Sequence, residues 1–190
     1  MRIIAGRHRG TKLAQPAGAD TRPTGDRVRE SLFSILEGGR FGDVLTGATI
    51  IDAFAGTGAL GLEALSRGAA HASFIERDRD ALSVLRANIA RLDRMTDSLV
   101  IAGDALSLAS WQGMPASLMF ADAPYGSGAG LAAAVQLAGI GALAPNALVV
   151  LESEKSEAPD AGMMAAGGLV PRDDRPVSYT HLRAHETSLH

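Results

Sequence analysis

The sequence contains no cysteine, which excludes disulfides and thiolate metal sites and is compatible with a cytoplasmic location. The same absence excludes any mechanism with a cysteine nucleophile, including covalent attack on a pyrimidine ring carbon. A long uninterrupted apolar run is also lacking, because Pro124, Pro145 and several glycines divide the uncharged stretch 123–151. The N-terminus turns polar at once, so we expect neither a signal peptide nor a membrane partner.

The charge of the chain is distributed unevenly. Residues 1–40 hold eight Lys/Arg and four Asp/Glu, whereas the remaining residues hold ten Lys/Arg and seventeen Asp/Glu. A basic segment on an acidic body predicts that a polyanion binds at one end and a cationic ligand at the other. A basic N-terminus that is merely solvated is the alternative. The length of 190 residues suits one domain with a small appendage.

A glycine-rich turn follows the short apolar run that ends at Asp52. Gly56, Gly58 and Gly61 match the GxGxxG pattern, which is typical of the strand–loop–helix entrance of a nucleotide-binding α/β unit. The carboxylate of Asp52 would repel the pyrophosphate of a dinucleotide, whereas it would tolerate a cationic ligand.

Further acids recur where predicted strands end. Strands are predicted at 48–53, 71–76, 98–102, 117–122 and 147–152, and the first four of them lead to Asp52, Glu76, Asp104 and Asp122. The carboxyl ends of parallel strands meet at one ligand-binding edge, so these acids predict an anionic crevice. S-adenosylmethionine fits such a crevice, because it carries a sulfonium, an ammonium, ribose hydroxyls and an adenine amine but no phosphate. The alternative is that the acids are helix N-caps.

Helices predicted at 59–67, 78–93, 105–110 and 130–139 alternate with the strands. This alternation predicts an α/β fold, a Rossmann-like and mostly parallel sheet with helices on both faces. Residues 2–5 and 11–14 predict a small hairpin, and a helix capped by Thr24 is expected to stop at Gly38-Gly39. Residues 153–168 suggest a loop and 169–171 a short edge strand.

A second motif, Asp122-Ala123-Pro124-Tyr125, follows the fourth predicted strand. The Asp122 carboxylate and the Ala123 carbonyl could accept hydrogen bonds from the exocyclic amine of a nucleobase, while the Tyr125 ring stacks on the base. The predicted reaction is a direct methyl transfer, accelerated by alignment and preorganised electrostatics. An Asp-Pro turn with a packing tyrosine is the alternative.

Four segments carry a resemblance to a known family. MRIIAGRHRG (1–10) and TRPTGDRVRESLF (21–33) are similar to the N-terminal signature of the RsmD family, the bacterial 16S rRNA guanine-N2 methyltransferases. DAFAGTGALG (52–61) and FIERD (74–78) resemble its cofactor motifs, and the likeness extends over about residues 1–152. The resemblance implies a class I S-adenosylmethionine-dependent methyltransferase that acts on 16S rRNA within an assembling or assembled small subunit. It also implies that Glu76 holds the ribose, that Asp104 lies near the adenine, and that residues 122–125 engage the guanine.

The predicted site therefore has three groups of residues. Those predicted to bind the cofactor are Asp52, Phe54, Gly56, Thr57, Gly58, Glu76, Arg77, Asp104 and Ala105. Those predicted to act on the guanine are Asp122, Ala123, Pro124 and Tyr125, and those predicted to bind RNA are Arg7, His8, Arg9, Lys12, Arg22, Arg27 and Arg29. His181 and His185 have helical metal-ligand spacing but no third ligand, so we assign no metal site.

Two features depart from the family pattern. Ala123 stands where the amine-methylating motif usually has a proline, which leaves the carbonyl acceptor but a less rigid turn. The end of the chain does not resemble the family's terminal strand hairpin, so we expect it to pack poorly and to leave a sheet edge unpaired.

We accordingly divide the chain into a basic RNA-binding extension (1–40), a cofactor-binding domain (41–172) and an atypical tail (173–190) whose sequence suggests a non-native end, and we expect a monomer. The alternatives to a guanine-N2 methyltransferase are an adenine-N6 methyltransferase of DNA or RNA, a non-catalytic RNA-binding module and a nicotinamide oxidoreductase.

Overall fold

The computed structural model describes residues 1–16, 24–124, 127–154, 160–177 and 180–188. In these ranges the helices are α1 (Thr24–Glu37), α2 (Ala59–Ser66), α3 (Arg79–Arg91), α4 (Ala129–Gly139) and α5 (Ala161–Ala166). The strands are β1 (Thr49–Asp52), β2 (His71–Glu76), β3 (Ser98–Ala102), β4 (Ala116–Ala121), β5 (Leu143–Glu154), β6 (Leu169–Val177) and β7 (Thr180–Thr187).

These strands form one sheet in the order β3-β2-β1-β4-β5-β7-β6. The five strands β1 to β5 run parallel to one another, whereas β7 is antiparallel to both β5 and β6. The predicted α/β class and mostly parallel sheet are confirmed. Because the carboxyl ends of β1 to β5 point to the same edge, the loops that leave them meet there.

Successive residues of the central strands point to opposite faces of the sheet, as strand geometry requires. One face packs against α1, α2 and α3, and it is formed by Ile50, Phe74, Leu118, Phe120 and Val150. The other face packs against α4, and it is formed by Ile51, Ile75, Met119, Ala121 and Val149. The strand runs are apolar on both faces because helices cover both faces.

The N-terminal hairpin (residues 1–14) has less strand pairing than predicted. It contains a single antiparallel bridge, between Arg2 and Lys12, and the Ile3 N–H donates to the Thr11 carbonyl over 2.9 Å. It leads toward α1, which begins at Thr24, the residue that we expected to precede the helix as its cap. As predicted, the helix ends just before Gly38.

The helix predicted at 105–110 is wrong. Residues 105–107 form a turn, in which the Asp104 carboxylate accepts from the Leu106 N–H over 3.0 Å and the Asp104 carbonyl accepts from the Ser107 N–H. An aspartate that bonds the backbone two residues ahead favours a turn, and six residues are too few for a helix that has little packing support.

The chain after Glu152 differs most from expectation. The stretch predicted to be a loop contains the end of β5 and all of α5, and the predicted short edge strand is the beginning of the longer β6. The boundary predicted after residue 172 therefore falls inside β6.

The tail was expected to pack poorly, and this expectation is wrong. Residues 180–187 form β7, which pairs with β5 on one side and with β6 on the other. Backbone hydrogen bonds with the long β5 hold this segment in the sheet, although its side chains lack the apolar alternation by which strands are recognised in a sequence. The edge of β5 is thus covered, and β6 is the edge strand.

Candidate active site

The loop between β1 and α2, residues 53–58, is called the glycine loop below. Gly58 has a φ of +83°, and a Cβ at this position would lie 2.4 Å from Cδ1 of Leu85 on α3. A Cβ at Gly61 would lie 2.4 Å from Cε1 of Phe74 on β2. Both positions therefore require glycine, because α2 packs closely on the sheet and on α3 directly after the loop.

Asp52 lies beneath the glycine loop, and its side chain is buried. One carboxylate oxygen accepts from the Gly61 N–H over 3.0 Å, and the other has no hydrogen bond partner among the described residues. Burial, opposed by the hydrogen bond from Gly61 and assisted by the charge of Glu76, raises the pKa of Asp52 to about 7. The prediction that Asp52 lines the ligand crevice is wrong, since its carboxylate holds the first turn of α2.

Glu76 fixes the glycine loop from the end of β2. One oxygen of its carboxylate accepts from the Gly56 N–H over 2.8 Å. The other accepts from the N–H groups of Arg77 and Asp78, each over 2.8 Å. A carboxylate with three backbone donors is held in one orientation, so Glu76 has a defined position at the tip of its strand.

The next acid, Asp104, follows β3 and pairs with the arginine that comes directly after Glu76. The Arg77 guanidinium pairs with the Asp104 carboxylate over 2.9 Å, although the arginine side chain is largely exposed. Ala105 is buried directly after Asp104. An exposed pair of this kind contributes little to stability, so it mainly restricts where the Asp104 carboxylate lies.

A cavity of about 960 Å³ opens at the carboxyl ends of the strands. Glu76, Asp104 and Asp122 line it together, so three of the four predicted acids share one space, with Asp52 behind it. Helix α1 closes the cavity with Val28 and Leu32. The remaining predicted site residues on its wall are Arg29, Phe54, Arg77, Ala105, Ala123 and Pro124, whereas Gly56, Thr57 and Gly58 do not line it.

The motif that follows β4 lies on the wall of the same cavity. Asp122 and Pro124 are exposed and Ala123 is buried between them. The Ser127 hydroxyl donates to the Pro124 carbonyl and accepts from the Ala129 N–H, which fixes the turn on the side of α4. Tyr125 lies outside the described residues.

An acid that the sequence analysis overlooked, Glu152, also lines this cavity. In the pairing of β4 with β5, Ala121 lies opposite Leu151, and Asp122 and Glu152 are the residues that follow. Two carboxylates therefore stand on neighbouring strands, one directly after β4 and the other near the end of β5. The signal was present in the sequence, because the predicted fifth strand also ended in an acid.

The N-terminal hairpin is attached to the end of α2. The buried Glu63 carboxylate accepts from the N–H groups of Ile4 and Ala5, over 2.7 and 3.0 Å. Ser66 accepts from the Arg7 N–H through its carbonyl, over 2.7 Å, and from the His8 N–H through its hydroxyl, over 2.9 Å. These long-range bonds hold the hairpin in place, with Arg7 and Arg9 of its turn exposed.

The residues predicted to bind RNA differ in how exposed their side chains are. Arg7, Arg9, Lys12 and Arg27 are exposed, as a phosphate contact requires, and Arg22 lies outside the described residues. The His8 side chain is half-buried and its Nε2 accepts from Arg94 over 3.0 Å. Burial lowers the pKa of His8, and the charges of Arg94 and Arg7 lower it further, so this residue favours its neutral form.

Arg29 is the clearest departure from the predicted RNA-binding set. Its side chain is only 4% exposed and pairs with Asp26 over 3.0 Å and with the buried Glu63 over 3.8 Å. It also donates to the Arg2 carbonyl. Arg29 therefore ties α1 to the hairpin and to α2, and its charge is engaged inside the protein.

Comparison with known proteins adds a finding that is independent of this geometry. A sequence profile of the family described as "Conserved hypothetical protein 95" matches residues 1–166. "Ribosomal RNA small subunit methyltransferase D" of Escherichia coli K12 is 42% identical over 154 residues, which cover 81% of this chain and 75% of that protein. The chain belongs to the RsmD family of methyltransferases.

Two further comparisons agree with membership of the RsmD family. The protein of the same name from Haemophilus influenzae is 36% identical over 160 residues, which cover 83% of this chain and 80% of that protein. The solved structure of the Escherichia coli protein yhhF has a TM-score of 0.81 and 35% identity, and the match covers 100% of this chain and 99% of that chain. The family that the N-terminal and cofactor motifs indicated is confirmed.

The described residues contain no helix that is long and apolar enough to cross a membrane. Within the same ranges, no group of three or more His, Asp or Glu side chains is arranged to hold a metal ion.

Proposed function

We propose that this protein transfers a methyl group from S-adenosylmethionine to the exocyclic N2 of a guanine in 16S rRNA of the small ribosomal subunit. The observation that carries the proposal is the cavity in which Glu76, Asp104 and Asp122 lie together at the carboxyl ends of β2, β3 and β4. The relatives named as small-subunit rRNA methyltransferases support the choice of substrate.

The carboxylates that line the cavity suit S-adenosylmethionine. Carboxylates accept hydrogen bonds from ribose hydroxyls and attract a cationic ligand, and Glu76 is already oriented by three backbone donors. A phosphate-bearing dinucleotide fits less well, because the Gly56 N–H is bonded to Glu76 and the neighbouring acids repel a pyrophosphate. This favours the methyltransferase over the nicotinamide oxidoreductase.

The roles proposed for individual residues follow from their places on the wall. Glu76 would hold the ribose hydroxyls, while Asp104 and Ala105 would border the adenine. When bound, the cofactor supplies an electrophilic methyl group on a sulfonium. The protein contributes by holding the acceptor amine in line with that methyl group and by excluding water.

Asp122 and the carbonyl of Ala123 would accept the N–H groups of the target amine. Such acceptors concentrate the nitrogen lone pair on the attacking atom, because they stabilise the positive charge that develops on the amine during the transfer. Tyr125 stays a predicted stacking residue. The substitution of Ala123 for the usual proline retains the backbone acceptor.

The acid that the sequence analysis overlooked favours guanine over adenine. The Watson–Crick edge of guanine presents N1–H and N2–H donors, which two neighbouring carboxylates, Asp122 and Glu152, can accept. Adenine presents an unprotonated N1 at the corresponding position, and a carboxylate repels that acceptor. The adenine-N6 alternative is therefore the weaker one.

RNA binding is proposed for the exposed cations of the extension, Arg7, Arg9, Lys12 and Arg27. Because these contacts are made to phosphates, they would position the RNA without reading its sequence. The monomeric state, the cytoplasmic location and the division of the chain into three segments stay predictions.

The test of this function is methyl transfer from tritiated cofactor to small subunits isolated from methylase-deficient cells, followed by nucleoside analysis. We expect N2-methylguanosine; methyladenosine would overturn the guanine assignment. Asp122→Ala should abolish transfer and leave RNA binding intact, whereas Asp43→Ala, an exposed acid before β1 at the opposite edge of the sheet, should leave transfer unchanged. A wild-type protein that binds RNA without transferring methyl groups would indicate a non-catalytic module.

A further inference from the structure

Asn88 of α3 joins the N-terminal hairpin to the glycine loop. Its side chain is completely buried, and its amide group donates to the Ala14 carbonyl over 3.1 Å and to the Thr57 carbonyl over 3.0 Å. Its amide oxygen accepts from the Ala14 N–H over 2.7 Å. One side chain thus satisfies backbone groups of two segments that are 43 residues apart in the sequence.

The glycine loop is contacted by both ends of the hairpin. Thr57 lies between Gly56 and Gly58, and its hydroxyl donates to the sulfur of Met1 over 3.6 Å. Its carbonyl is held by Asn88, which also holds Ala14 at the other end of the hairpin. A displacement of the hairpin therefore reaches Thr57 along two routes.

The loop in turn determines the position of Glu76, because the Gly56 N–H donates to that carboxylate. Asn88, Thr57, Gly56 and Glu76 form a continuous series that starts at the hairpin and ends on the cavity wall. The buried Asn88 amide is costly to leave without partners, so the three segments that it joins are expected to move together.

We propose that Asn88 is a positioning residue that couples RNA binding on the N-terminal hairpin to cofactor binding at the glycine loop. The inference rests on the proposed function. RNA that restrains the hairpin also restrains Thr57 and the glycine loop, so the cofactor meets a loop that is already ordered. The coupling is reciprocal, and bound cofactor strengthens RNA binding by the same factor.

The test is equilibrium dialysis with radiolabelled S-adenosylhomocysteine, with and without saturating unmethylated small subunits. For the wild-type protein we expect the Kd to fall at least about fivefold when subunits are present, which is the lower end of common allosteric coupling. Asn88→Asp keeps the acceptor for the Ala14 N–H but replaces both donors by a carboxylate oxygen, so it should reduce this ratio to about one.

The matched control is Ser66→Ala, which removes the bonds of the Ser66 hydroxyl to the hairpin and leaves the Asn88 bonds to Thr57 and Ala14 in place. It should weaken subunit binding and keep the wild-type ratio. An Asn88 variant with an unchanged ratio would overturn the proposal, because a merely structural asparagine would lower stability without changing the ratio.

A second measurement covers the case in which the Asn88 variant does not fold. Hydrogen exchange of the wild-type protein should show that subunits slow exchange at the amides of residues 56–58, and unchanged exchange there would overturn the inference. If both ligands bind the wild-type protein independently, only this inference fails. If S-adenosylhomocysteine does not bind at all, the proposed function fails and the inference with it.

Discussion

The Glu76 carboxylate accepts a hydrogen bond of 2.8 Å from the N–H of Gly56, so an acid at the end of one strand holds the loop that follows its neighbour. In this member of the RsmD family, the bond places a negative charge where a phosphate would lie in a dinucleotide-binding protein. The same bond fixes the carboxylate on the wall of the cavity. The shape of the glycine loop and the proposed recognition of the ribose thus depend on one side chain.

Glu76→Gln should therefore weaken cofactor binding. A hydrogen bond to a charged group contributes about 1.5–3 kcal/mol, which corresponds to a rise of roughly tenfold to a hundredfold in the Kd of S-adenosylhomocysteine. Calorimetry measures this change directly. Glu37→Gln is the control, because Glu37 is an exposed acid that pairs with Arg67 away from the cavity. Equal affinities in the two variants would contradict the role of Glu76.

Asp52 should make the stability of the protein depend on pH. Its pKa rises from an ordinary value of 3.8 to about 7 on folding, so the folded state holds a proton that the unfolded state releases. The contribution of this group to stability is complete below about pH 4 and is lost as the pH rises to about 7. Each unit of pKa corresponds to about 1.4 kcal/mol.

Asp52→Asn should remove this dependence, since an amide oxygen can still accept from the Gly61 N–H and carries no charge. Urea denaturation between pH 4.5 and 8 measures the effect as the difference between wild type and variant, which cancels the contributions of other groups. We expect the variant to gain stability relative to the wild type as the pH rises. Parallel curves would show that Asp52 ionises as readily in the folded protein as in the unfolded chain.

Glu152→Gln should impair methyl transfer while leaving the cofactor site intact. The amide oxygen is a weaker acceptor than a carboxylate, and its NH₂ group would face an N–H donor of guanine. We expect kcat/KM for small subunits to fall about tenfold or more and the Kd of S-adenosylhomocysteine to change by less than about twofold. Unchanged kcat/KM would exclude Glu152 from the guanine site.

Arg7→Gln combined with Arg9→Gln should weaken RNA binding in a salt-dependent way. Each phosphate contact contributes roughly 0.7–0.9 to the slope of log K against log salt, so the double variant should lower that slope by about 1.5. Filter binding at several salt concentrations measures it. Arg40→Gln is the matched control, because Arg40 is exposed but pairs with Asp173 on β6. If Arg40→Gln lowers the slope as much, the change would reflect the overall charge of the protein and not phosphate contacts of Arg7 and Arg9.

The sequence revealed those parts of the site that depend on local patterns. Apolar runs that end in an acid predicted where Glu76, Asp104 and Asp122 meet, because parallel strands finish at one edge. Closely spaced glycines predicted the turn after β1. Both signals come from residues that are close together in the sequence, so they can be recognised without knowledge of the fold.

Other features depend on partners that are distant in the chain. The charge of Arg29 suggested an RNA contact. Besides the nearby Asp26, Arg29 pairs with the buried Glu63, which is 34 residues away, and this second pairing becomes visible only in the fold. Burial of Asp52 likewise depends on how α2 packs over β1. The strand at 180–187 was missed because backbone pairing, rather than an apolar pattern, holds it in the sheet.

The insertion of β7 between β5 and β6 imposes an order on the assembly of the sheet. Within the described part of the chain, β6 has hydrogen-bonded strand pairing with β7 alone, although β6 is synthesised first. A nascent chain in which β6 has left the ribosome must therefore wait for residues 180–187 before that strand can join the others. Residues 180–187 thus link β6 to the rest of the sheet.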